Sequence, residues 1–527
     1  MEGRLTKSEI AQILQKRFEG DVVTSLSKLP NPLSMPNAQK AAKRVKEAIE
    51  KNEKIVIVGD YDVDGIVSAA ILEEFLEKSG ASPSTIIPCR FKDGYGLGMG
   101  IIGRIEADLI ITVDNGIAAI EAANECARRN IELIVIDHHT IGETLPNAYA
   151  IVHPKLGDGF CFKEICAAAV VWYFLAALKQ ELGSEENLKE YLDLVAIATI
   201  ADVMPLRDIN RTLVKAGIEV MKTSKRPAVR AISTKLCKTS FTASDIAYKI
   251  SPRLNSAGRL TLAKEAFCFL RAKEYNEAAV FFERLDSLNE QRKKVESGVF
   301  EEALELSKGS EHIIVAAKEG WHEGVVGIVA SKLAQTMGKP ALVFSIENGI
   351  AKGSARSVGD FNIFEAISEC SDLLASFGGH KMAAGVSLKS EYLPEFEKRL
   401  NEAAKKLCKG IDCPLKNGFG LIDLSQIDEE LADILESFEP YGEGNERPIF
   451  TAKNKLVKEI KPIGKEKGFR LTLCDKSNHE QKTVKAVCFR GNAKPKEGEC
   501  VDFRFSVYKN SFFGGSVELM VEEILLS

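Results

Sequence analysis

The sequence predicts an α/β protein of several domains: a parallel-sheet domain, a long connecting helix, a smaller α/β domain and a C-terminal β-barrel. Three observations predict this order. The 527 residues exceed one ordinary hydrophobic core and fit about three domains of roughly 100–200 residues each. Short apolar runs in the first half each end in a carboxylate and precede a helical stretch. The last part changes to short alternating segments separated by turn residues.

Composition indicates a globular chain and limits its partners. Hydrophobic residues make up 45% and charged residues 28%, which excludes a disordered or collagen-like protein. The net charge of -5 argues against coating duplex DNA with a basic surface, although a local basic channel stays open. The amino-terminal segment has no signal-peptide pattern and no apolar run approaches 18 residues, so we expect a cytoplasmic protein without membrane contact. The 12 cysteines form no CxxC pair, and we expect reduced, mostly buried thiols.

The apolar runs of the first half are predicted strands of one sheet. They are KIVIVG (54–59), DLIITV (108–113) and IELIVI (131–136), and they lead into DYDVDG, DNG and DHH. Continuous apolar runs of this length are typical of buried parallel strands with helical crossovers. The carboxylates that follow the strands should therefore meet at one sheet edge, where open α/β sheets bind ligands.

The rest of the chain divides into a connector and two smaller domains. A charged helical pattern from about Ala272 to Ser307 predicts a solvated connecting helix. Beyond it, KPALVFS and VVGIVASKLAQTMG indicate a second α/β domain whose glycine-rich GSARS and FGGHKMAAG segments are predicted loops. The segments FRLTLC, KAVCFR and VDFRFSVY predict an antiparallel β domain. The predicted domains span 1–270, 309–408 and 409–527, with the helix at 271–308.

A cluster of acidic residues and histidines carries the predicted chemistry. Three carboxylates on alternate residues repel one another unless cations neutralise them, so DYDVDG predicts a divalent metal site; taken alone, it could also be a solvated acidic turn. The neighbouring strands add further carboxylates and two imidazoles to the same edge, a donor set that suits Mn²⁺, Mg²⁺ or Zn²⁺. Asp202, which follows the helical run YLDLVAIATIA, is the expected distant ligand of the same site. The candidates are Asp60, Asp62, Asp64, Asp114, Asp137, His138, His139 and Asp202.

Taken in order, the blocks GDYDVDG, VDNG, VIDHH and ATIADVMPL resemble the motifs of the DHH phosphoesterase superfamily. The block SPRLNSAGRL, the pair GSARS and GGHKMAAG, the long connector and the β-rich tail narrow the resemblance to the RecJ family, over nearly the whole chain. This resemblance implies a 5′-to-3′ exonuclease that acts on single-stranded DNA with two Mn²⁺ or Mg²⁺ ions, in DNA repair and recombination. It also implies an oligonucleotide-binding (OB) fold for the tail and a monomer, and it leaves a single-strand-binding protein and a helicase open as partners.

The resemblance also assigns roles to the clustered residues. The metal ligands of the family fall on Asp62, Asp64, Asp114, His138 and Asp202. Asp60 and Asp137 are close enough to ligate or to orient a ligand, and His139 faces the scissile phosphate. Two ions held in this way can activate water and stabilise the leaving oxygen, so we expect direct hydrolysis without a covalent intermediate.

Arginines and glycine-rich segments are the predicted substrate-binding residues. Guanidinium forks suit a terminal phosphate, and glycine amides approach phosphate closely. In the first domain the candidates are Arg90, and Arg253, Asn255 and Arg259 around a predicted turn; in the second they are Ser354, Arg356, Gly378, Gly379 and His380, with Lys381 and Ala383-Ala384 as weaker ones. Lysines and aromatic residues of the tail, such as Phe469 and Phe505, are expected to attract and stack on a single strand, although most of the aromatic residues are expected in the core.

Two alternatives stay open at this point. Other DHH enzymes hydrolyse pyrophosphate, short oligonucleotides or cyclic dinucleotides with the same metal motifs. A preference for two- to five-nucleotide substrates over long strands would favour this reading. The second alternative is a non-catalytic scaffold, although the expected acidic residues and both histidines are present.

Overall fold

The computed structural model describes residues 4–407, 418–463, 468–475, 483–489, 494–510 and 516–525. Its first part contains an N-terminal helix and a five-stranded sheet with helices on both faces. These elements are α1 (Lys7–Lys16), α2 (Ala38–Glu50), β1 (Ile55–Val58), α3 (Val63–Lys78), β2 (Ser84–Ile86), α4 (Met99–Ile102), β3 (Leu109–Val113), α5 (Ile120–Arg128), β4 (Glu132–Ile136), β5 (Ala150–Val152), α6 (Ala167–Leu182), α7 (Leu192–Ala201), α8 (Asp208–Thr223), α9 (Pro227–Leu236), α10 (Ala243–Asp245), α11 (Ser251–Leu260) and α12 (Lys264–Arg271). A short π-helix, Ile246–Ile250, joins α10 to α11.

The first sheet is entirely parallel, with strand order β2-β1-β3-β4-β5. Strands β1 and β3 are buried along their whole length because helices cover both faces of the sheet, which explains their uninterrupted apolar sequences. The chain leaves β1 toward β2 on one side and returns to β3 on the other. The carboxyl ends of β1 and β3 therefore flank the topological switch point of the sheet.

The long helix α13 (Tyr275–Leu306) connects two hydrophobic cores. Its 32 residues span about 48 Å. Phe282 and Leu285 in its first half lie in the core of the first domain, whereas Val299 and Ala303 lie in the core of the second. The prediction of a solvated connector was therefore wrong for this apolar stripe, although the helix itself is present.

The second domain has a mixed five-stranded sheet of order β6-β7-β8-β10-β9. Its elements are β6 (Ile314–Glu319), α14 (Glu323–Met337), β7 (Ala341–Glu347), β8 (Ile350–Arg356), α15 (Ile363–Ser368), β9 (Ser376–His380), β10 (Ala383–Lys389) and α16 (Leu393–Leu407). GSARS and FGGHKMAAG, predicted as loops, form strand β8 and the hairpin of β9 and β10. Gly353 of β8 lies under the ring of Phe344. A Cβ atom at this position would come within 2.4 Å of the ring carbons, so the close approach requires glycine in the strand.

The predicted turn around Arg253, Asn255 and Arg259 is also wrong, because these residues lie in helix α11. Pro252 lies in the first turn, where a missing backbone N–H costs no hydrogen bond. The side chains therefore radiate from a helix. They do not surround a common turn.

The last part is a barrel that the N-terminal helix completes. Its elements are β11 (Gly420–Leu421), α17 (Glu429–Ser437), β12 (Phe450–Pro462), β13 (Phe469–Asp475), β14 (Val484–Cys488), β15 (Cys500–Asn510) and β16 (Ser516–Leu525). The sheet closes through pairing of β12 with β15. β11 pairs with β12 and β14 pairs with β16 in parallel, and the other described pairs are antiparallel. Ile10 and Leu14 of α1 are fully buried in the barrel core. The structure confirms the predicted α/β multidomain class with a C-terminal barrel.

Two general expectations can be compared with the described residues. None of the helices in those ranges is both long and apolar enough to cross a membrane. The ten cysteines described are free thiols, of which five are buried and two are exposed. The predicted boundary between residues 408 and 409 lies outside the described ranges.

Candidate metal centre and active site

Three carboxylates converge at the switch point of the first sheet. Asp60 and Asp62 follow β1, and Asp114 follows β3 with a left-handed backbone (φ 63°). One oxygen from each of the three lies within 4.8 Å of the others. The amide of Gly65 donates to Asp62, which caps helix α3 and thereby has a fixed direction.

A second group lies beside the first and contains Asp64, His138 and Asp202, again within 4.8 Å. The Nε2 atom of His138 is 3.8 Å from Asp64, 3.7 Å from Asp202 and 3.3 Å from Asp114, which adjoins both groups. Asp64 accepts hydrogen bonds from the amides of Ala167 and Ala168 at 2.6 and 2.8 Å. These amides begin helix α6, whose N-terminus favours a negative charge.

The two groups have the donor set and the unsatisfied atoms that divalent cations require. Within the described residues, Asp60 Oδ1, Asp114 Oδ1, His138 Nε2 and Asp202 Oδ2 are buried without a hydrogen-bond partner. Burial and the charge of Asp62 raise the pKa of Asp64 to about 7, and burial and the charge of Asp64 raise the pKa of Asp202 to about 8. Such crowded acids are unfavourable until cations bind between them, and carboxylate with imidazole suits Mn²⁺ or Mg²⁺. The residues therefore fit the expected cofactors.

The two adjacent histidines have different surroundings. Burial and the neighbouring His139 lower the pKa of His138 to about 3, which leaves it neutral and able to ligate. His139 is more exposed, and its Nδ1 donates to Asp137 Oδ1 at 2.7 Å. Burial alone would lower the pKa of His139, but this hydrogen bond and the charge of Asp137 raise it to about 9.

Sequence reasoning did not identify Tyr95, which lies against the same site. Its hydroxyl donates to the backbone oxygen of Asp114 at 2.8 Å and lies 3.3 Å from both ring nitrogens of His139. The buried amide of Asn115 supports this arrangement, because its oxygen accepts from Leu97 N and its nitrogen donates to the carbonyls of β1 and β3. The sequence offered one signal for Tyr95: it lies in the segment GYG, a few residues after the candidate Arg90.

A group of arginines lies next to the acidic cluster. Burial and the charges of Arg90, Arg292 and Arg356 lower the pKa of Arg259 to about 10, so it remains charged at neutral pH. Its described hydrogen bond is to the carbonyl of Gly324 in the second domain, at 3.2 Å. Arg90 lies over the ring of Tyr61. Like charges held together in this way favour an anion between them.

The second domain contributes to this group through β8. Arg356 donates to Ser354 Oγ at 2.8 Å, and both residues lie against Gly327 of α14. Gly378, Gly379 and His380 lie on the exposed edge strand β9. The described contacts do not join these three residues to the metal groups.

Two further candidates of the first domain lie apart from each other. Arg253 forms an ion pair with Asp286 at 2.8 Å and donates to the carbonyl of Lys249, so its guanidinium is engaged within the fold. Asn255 lines a cavity between the domains together with Arg259 and Arg292. Arg292 was missed because the helix that contains it was interpreted as solvated.

Comparison with known proteins accounts for all three domains. Residues 54–199 match the model of the DHH family N-terminal domain, 310–406 the DHHA1 domain and 420–523 the RecJ OB domain. The single-stranded-DNA-specific exonuclease RecJ of Dickeya dadantii is 34% identical over 453 residues, which cover 80% of this chain and 78% of that protein. The chain belongs to the RecJ family. This confirms the resemblance drawn from the motifs.

Other RecJ proteins extend the comparison. The RecJ of Bacillus subtilis is 38% identical over 450 residues, which cover 83% of this chain; this chain spans 56% of that relative's length. Crystal structures of Thermus thermophilus RecJ in complex with Mn²⁺ and with Mg²⁺ superpose with TM-scores of 0.82 and 0.78, at 29% and 27% identity. Each match covers 98% of this chain, and they cover 76% and 74% of the respective RecJ chains. The ions in these structures are those for which the acidic groups are suited.

Proposed function

We propose that this chain is a single-stranded-DNA-specific exonuclease that hydrolyses phosphodiester bonds from the 5′ end with two divalent ions. The observation that carries the proposal is the position of two metal-binding groups, joined through Asp114 and His138, beside a group of partly buried arginines. This arrangement places charge complementary to a phosphodiester next to the means of cleaving it. Membership of the RecJ family supports the same reaction.

The metal-binding roles follow from the grouping of the donors. Asp60, Asp62 and Asp114 would hold one ion, and Asp64, His138 and Asp202 the other. When bound, two divalent ions activate water for attack and neutralise charge on the phosphate oxygens. The direct hydrolysis expected from the sequence requires no protein nucleophile.

The protein itself orients the groups around the phosphate. Asp137 fixes the ring of His139 through Nδ1, so that a protonated His139 can donate a hydrogen bond to a phosphate oxygen. Asp137 in turn accepts from the amides of Ile117 and His138 at 2.9 and 2.7 Å. Burial alone would raise the pKa of Asp137, but the hydrogen bond and charge of His139, followed by the hydrogen bond from Ile117, lower it to about 2 and keep the carboxylate ionised. We assign His139 to the scissile phosphate and Asp137 to its positioning.

The arginine group is proposed to determine the direction of degradation by binding the 5′ end. A terminal 5′ phosphate has more negative charge than an internal phosphodiester and suits several guanidiniums at once. Arg90, Arg259 and Arg356, with Ser354, are the residues proposed to hold it. We also propose that Gly378, Gly379 and His380 approach the strand from the edge of the second domain.

Selectivity for single strands and the cellular role are further parts of the proposal. The cleft that contains the metal groups is bounded by the first two domains and by α13. We therefore expect it to admit one strand and to exclude a duplex. Removal of a 5′ strand is a step that DNA repair and recombination both require. A single-strand-binding protein and a helicase would be its protein partners, and the chain would act as a monomer.

The test uses a long single-stranded DNA with different labels at its 5′ and 3′ ends. Incubation with Mn²⁺ should release the 5′ label first as small products, and chelator or the Asp114→Ala substitution should abolish the release. Asp372→Ala, at a surface carboxylate paired with Arg399, is the matched control and should behave as the unmodified protein.

Each other outcome would contradict a specific part of the proposed function. Earlier release of the 3′ label would contradict the direction, and equal degradation of a blunt duplex would contradict the strand selectivity. Preference for two- to five-nucleotide substrates would favour the small-nucleotide reading. Failure to cleave either kind of substrate would favour the scaffold reading.

A further inference from the structure

The imidazole of His153 lies behind the segment that contains His138 and His139. His153 directly follows β5, the edge strand of the first sheet that pairs with β4, and it is fully buried. The metal-binding groups found among the described residues do not include it. A buried polar ring needs hydrogen-bond partners, so the partners of His153 indicate its role.

Both ring nitrogens of His153 have a backbone partner. Nδ1 accepts a hydrogen bond from the amide of Lys155 at 3.0 Å and therefore carries no hydrogen. Nε2 lies 2.9 Å from the backbone oxygen of His139. Because a carbonyl oxygen can only accept, Nε2 carries the hydrogen and donates it. His153 is therefore a neutral imidazole whose single N–H points at the backbone of His139.

The segment after β4 is held at both ends by β5 and the residue that follows it. At the first end, the amide of Asp137 donates to the carbonyl of Val152 at 3.2 Å. At the other end, His153 donates to the carbonyl of His139. The chain then becomes exposed at 142–145, so the bond from His153 lies where the buried part of this segment ends.

His139 is also held from the opposite side of β4. Asp137 accepts from the amide of Ile117, which follows β3, and from the amide and Nδ1 of His139 at 3.2 and 2.7 Å. Asp137 thus ties His139 toward β3, whereas His153 ties it toward β5. Loss of the bond from His153 would leave the His139 backbone held on one side, and a shift of this backbone would move the ring that it bears.

Resting on the proposed function, we infer that His153 is a positioning residue for hydrolysis: it holds the backbone of His139 and thereby directs the His139 ring at the scissile phosphate. His153 acts through His139 and, being fully buried, does not contact the strand. A displacement of about 1 Å in a reacting group can cost about 100-fold in rate. Loss of the bond should therefore lower kcat, while the arginine group still binds the strand.

Two substitutions separate the hydrogen bonds of His153 from its size. His153→Leu fills the site without a donor or an acceptor, whereas His153→Asn keeps one of each on a shorter side chain. Thr212→Val is the matched control, because the buried hydroxyl of Thr212 in α8 donates to the carbonyl of Val23. The control also removes one buried bond from a side chain to the backbone, but away from β4 and β5.

The first test measures amide hydrogen exchange in the full chain by mass spectrometry and does not depend on cleavage. His153→Leu should speed exchange within 137–141 by at least about tenfold, because local opening of this segment becomes easier. His153→Asn should stay close to the unmodified protein, and Thr212→Val should not change exchange in this segment. Equal exchange within 137–141 in His153→Leu and the unmodified protein would overturn the inference.

The second test measures kcat and KM on a long single strand with saturating Mn²⁺, at a temperature where melting curves show each variant folded. His153→Leu should lower kcat by about 10- to 100-fold and change KM by less than about threefold. His153→Asn should have a kcat within about threefold of the unmodified protein, and Thr212→Val should lower only the melting temperature. An unchanged kcat in His153→Leu, or a kcat in His153→Asn as low as in His153→Leu, would refute positioning through the hydrogen bond.

Two outcomes need separate treatment. If His153→Leu did not fold, His153→Ala would replace it in both tests with the same expected results. If the unmodified protein cut no strand, the proposed function would fail, and the exchange measurement would still decide whether His153 holds His139.

Discussion

Replacing Asp137 with asparagine should separate the orientation of His139 from metal binding. One oxygen of Asp137 accepts from the amide of Ile117 at 2.9 Å, and the other accepts from the amides of His138 and His139 and from His139 Nδ1. An asparagine of the same shape has only one acceptor oxygen. If that oxygen faces the histidines, the amide nitrogen must face the N–H of Ile117, and two donors oppose each other.

The magnitude follows from these contacts. One buried donor without an acceptor costs about 1–3 kcal/mol, and losing the charge from the remaining hydrogen bonds costs about 1 kcal/mol more. We expect Asp137→Asn to lower the free energy of unfolding by about 3 kcal/mol. Without the carboxylate, His139 would lose the hydrogen bond and the nearest charge that raise its pKa, so a smaller fraction of the ring would be protonated at pH 7. The loss of a positioned proton donor should reduce kcat by about 10²- to 10⁴-fold.

The assay measures release of the 5′ label with saturating Mn²⁺, Mn²⁺ binding by calorimetry, and urea unfolding. Asp193→Asn is the matched control: Asp193 is also fully buried, accepts from Leu194 N and Ser224 Oγ and pairs with Arg226, but it lies in the first turn of α7, at the end opposite Asp202. It should lower stability without lowering kcat at a temperature where the protein is folded. Asp137→Asn with kcat within threefold of the unmodified protein would refute the role assigned to Asp137.

Three further predictions concern stability and substrate binding. Burial alone would raise the pKa of Asp245, but hydrogen bonds from two lysines lower it to about 2. The ionised group therefore stabilises the fold by up to about 2 kcal/mol above pH 4, and this contribution is lost as the pH falls toward 2. Urea unfolding of Asp245→Asn should lack this pH dependence. Gly217→Ala should cost at least about 2 kcal/mol in urea unfolding, because a Cβ there would lie 2.1 Å from the carbonyl oxygen of Leu192; an unchanged midpoint would contradict the packing of α8 on α7. Arg259→Gln should weaken strand binding and its salt dependence, whereas Arg253→Gln should lower only the melting temperature; the opposite result would reverse the roles of these two arginines.

The sheet and the acidic cluster were predictable because their signals are local. A buried parallel strand needs an uninterrupted apolar run, and the residue after it must lie at the sheet edge. Asp60, Asp114 and His138 were placed in this way before any contact was known. The sequence could not show which acids form a group, because that depends on how α7 brings Asp202 back to the sheet. The assignment of individual roles remains a prediction.

The wrong predictions of turns and loops fell on segments that contain proline or glycine, because these residues also occur within helices and strands where the context allows. SPRLNSAGRL was interpreted as a turn, yet proline is compatible with the first turn of a helix, and Gly258 lies where a Cβ would come within 2.5 Å of the carbonyl oxygen of Tyr61. The glycine is thus required by packing between α11 and the metal-binding segment. Tyr95 and Arg292 were missed because their importance arises from contacts with residues distant in the sequence.

The burial of α1 in the barrel has a consequence for synthesis of the protein. Ile10 and Leu14 lie in α1, whereas the strands that cover them begin only at Phe450, so these strands are synthesised much later. At roughly 5–20 residues per second, about 25–100 s separate the two events. During that interval the first helix lacks the strands that bury its apolar face. The core of the barrel therefore cannot form until segments far apart in the sequence, α1 and β12 to β16, have both been made.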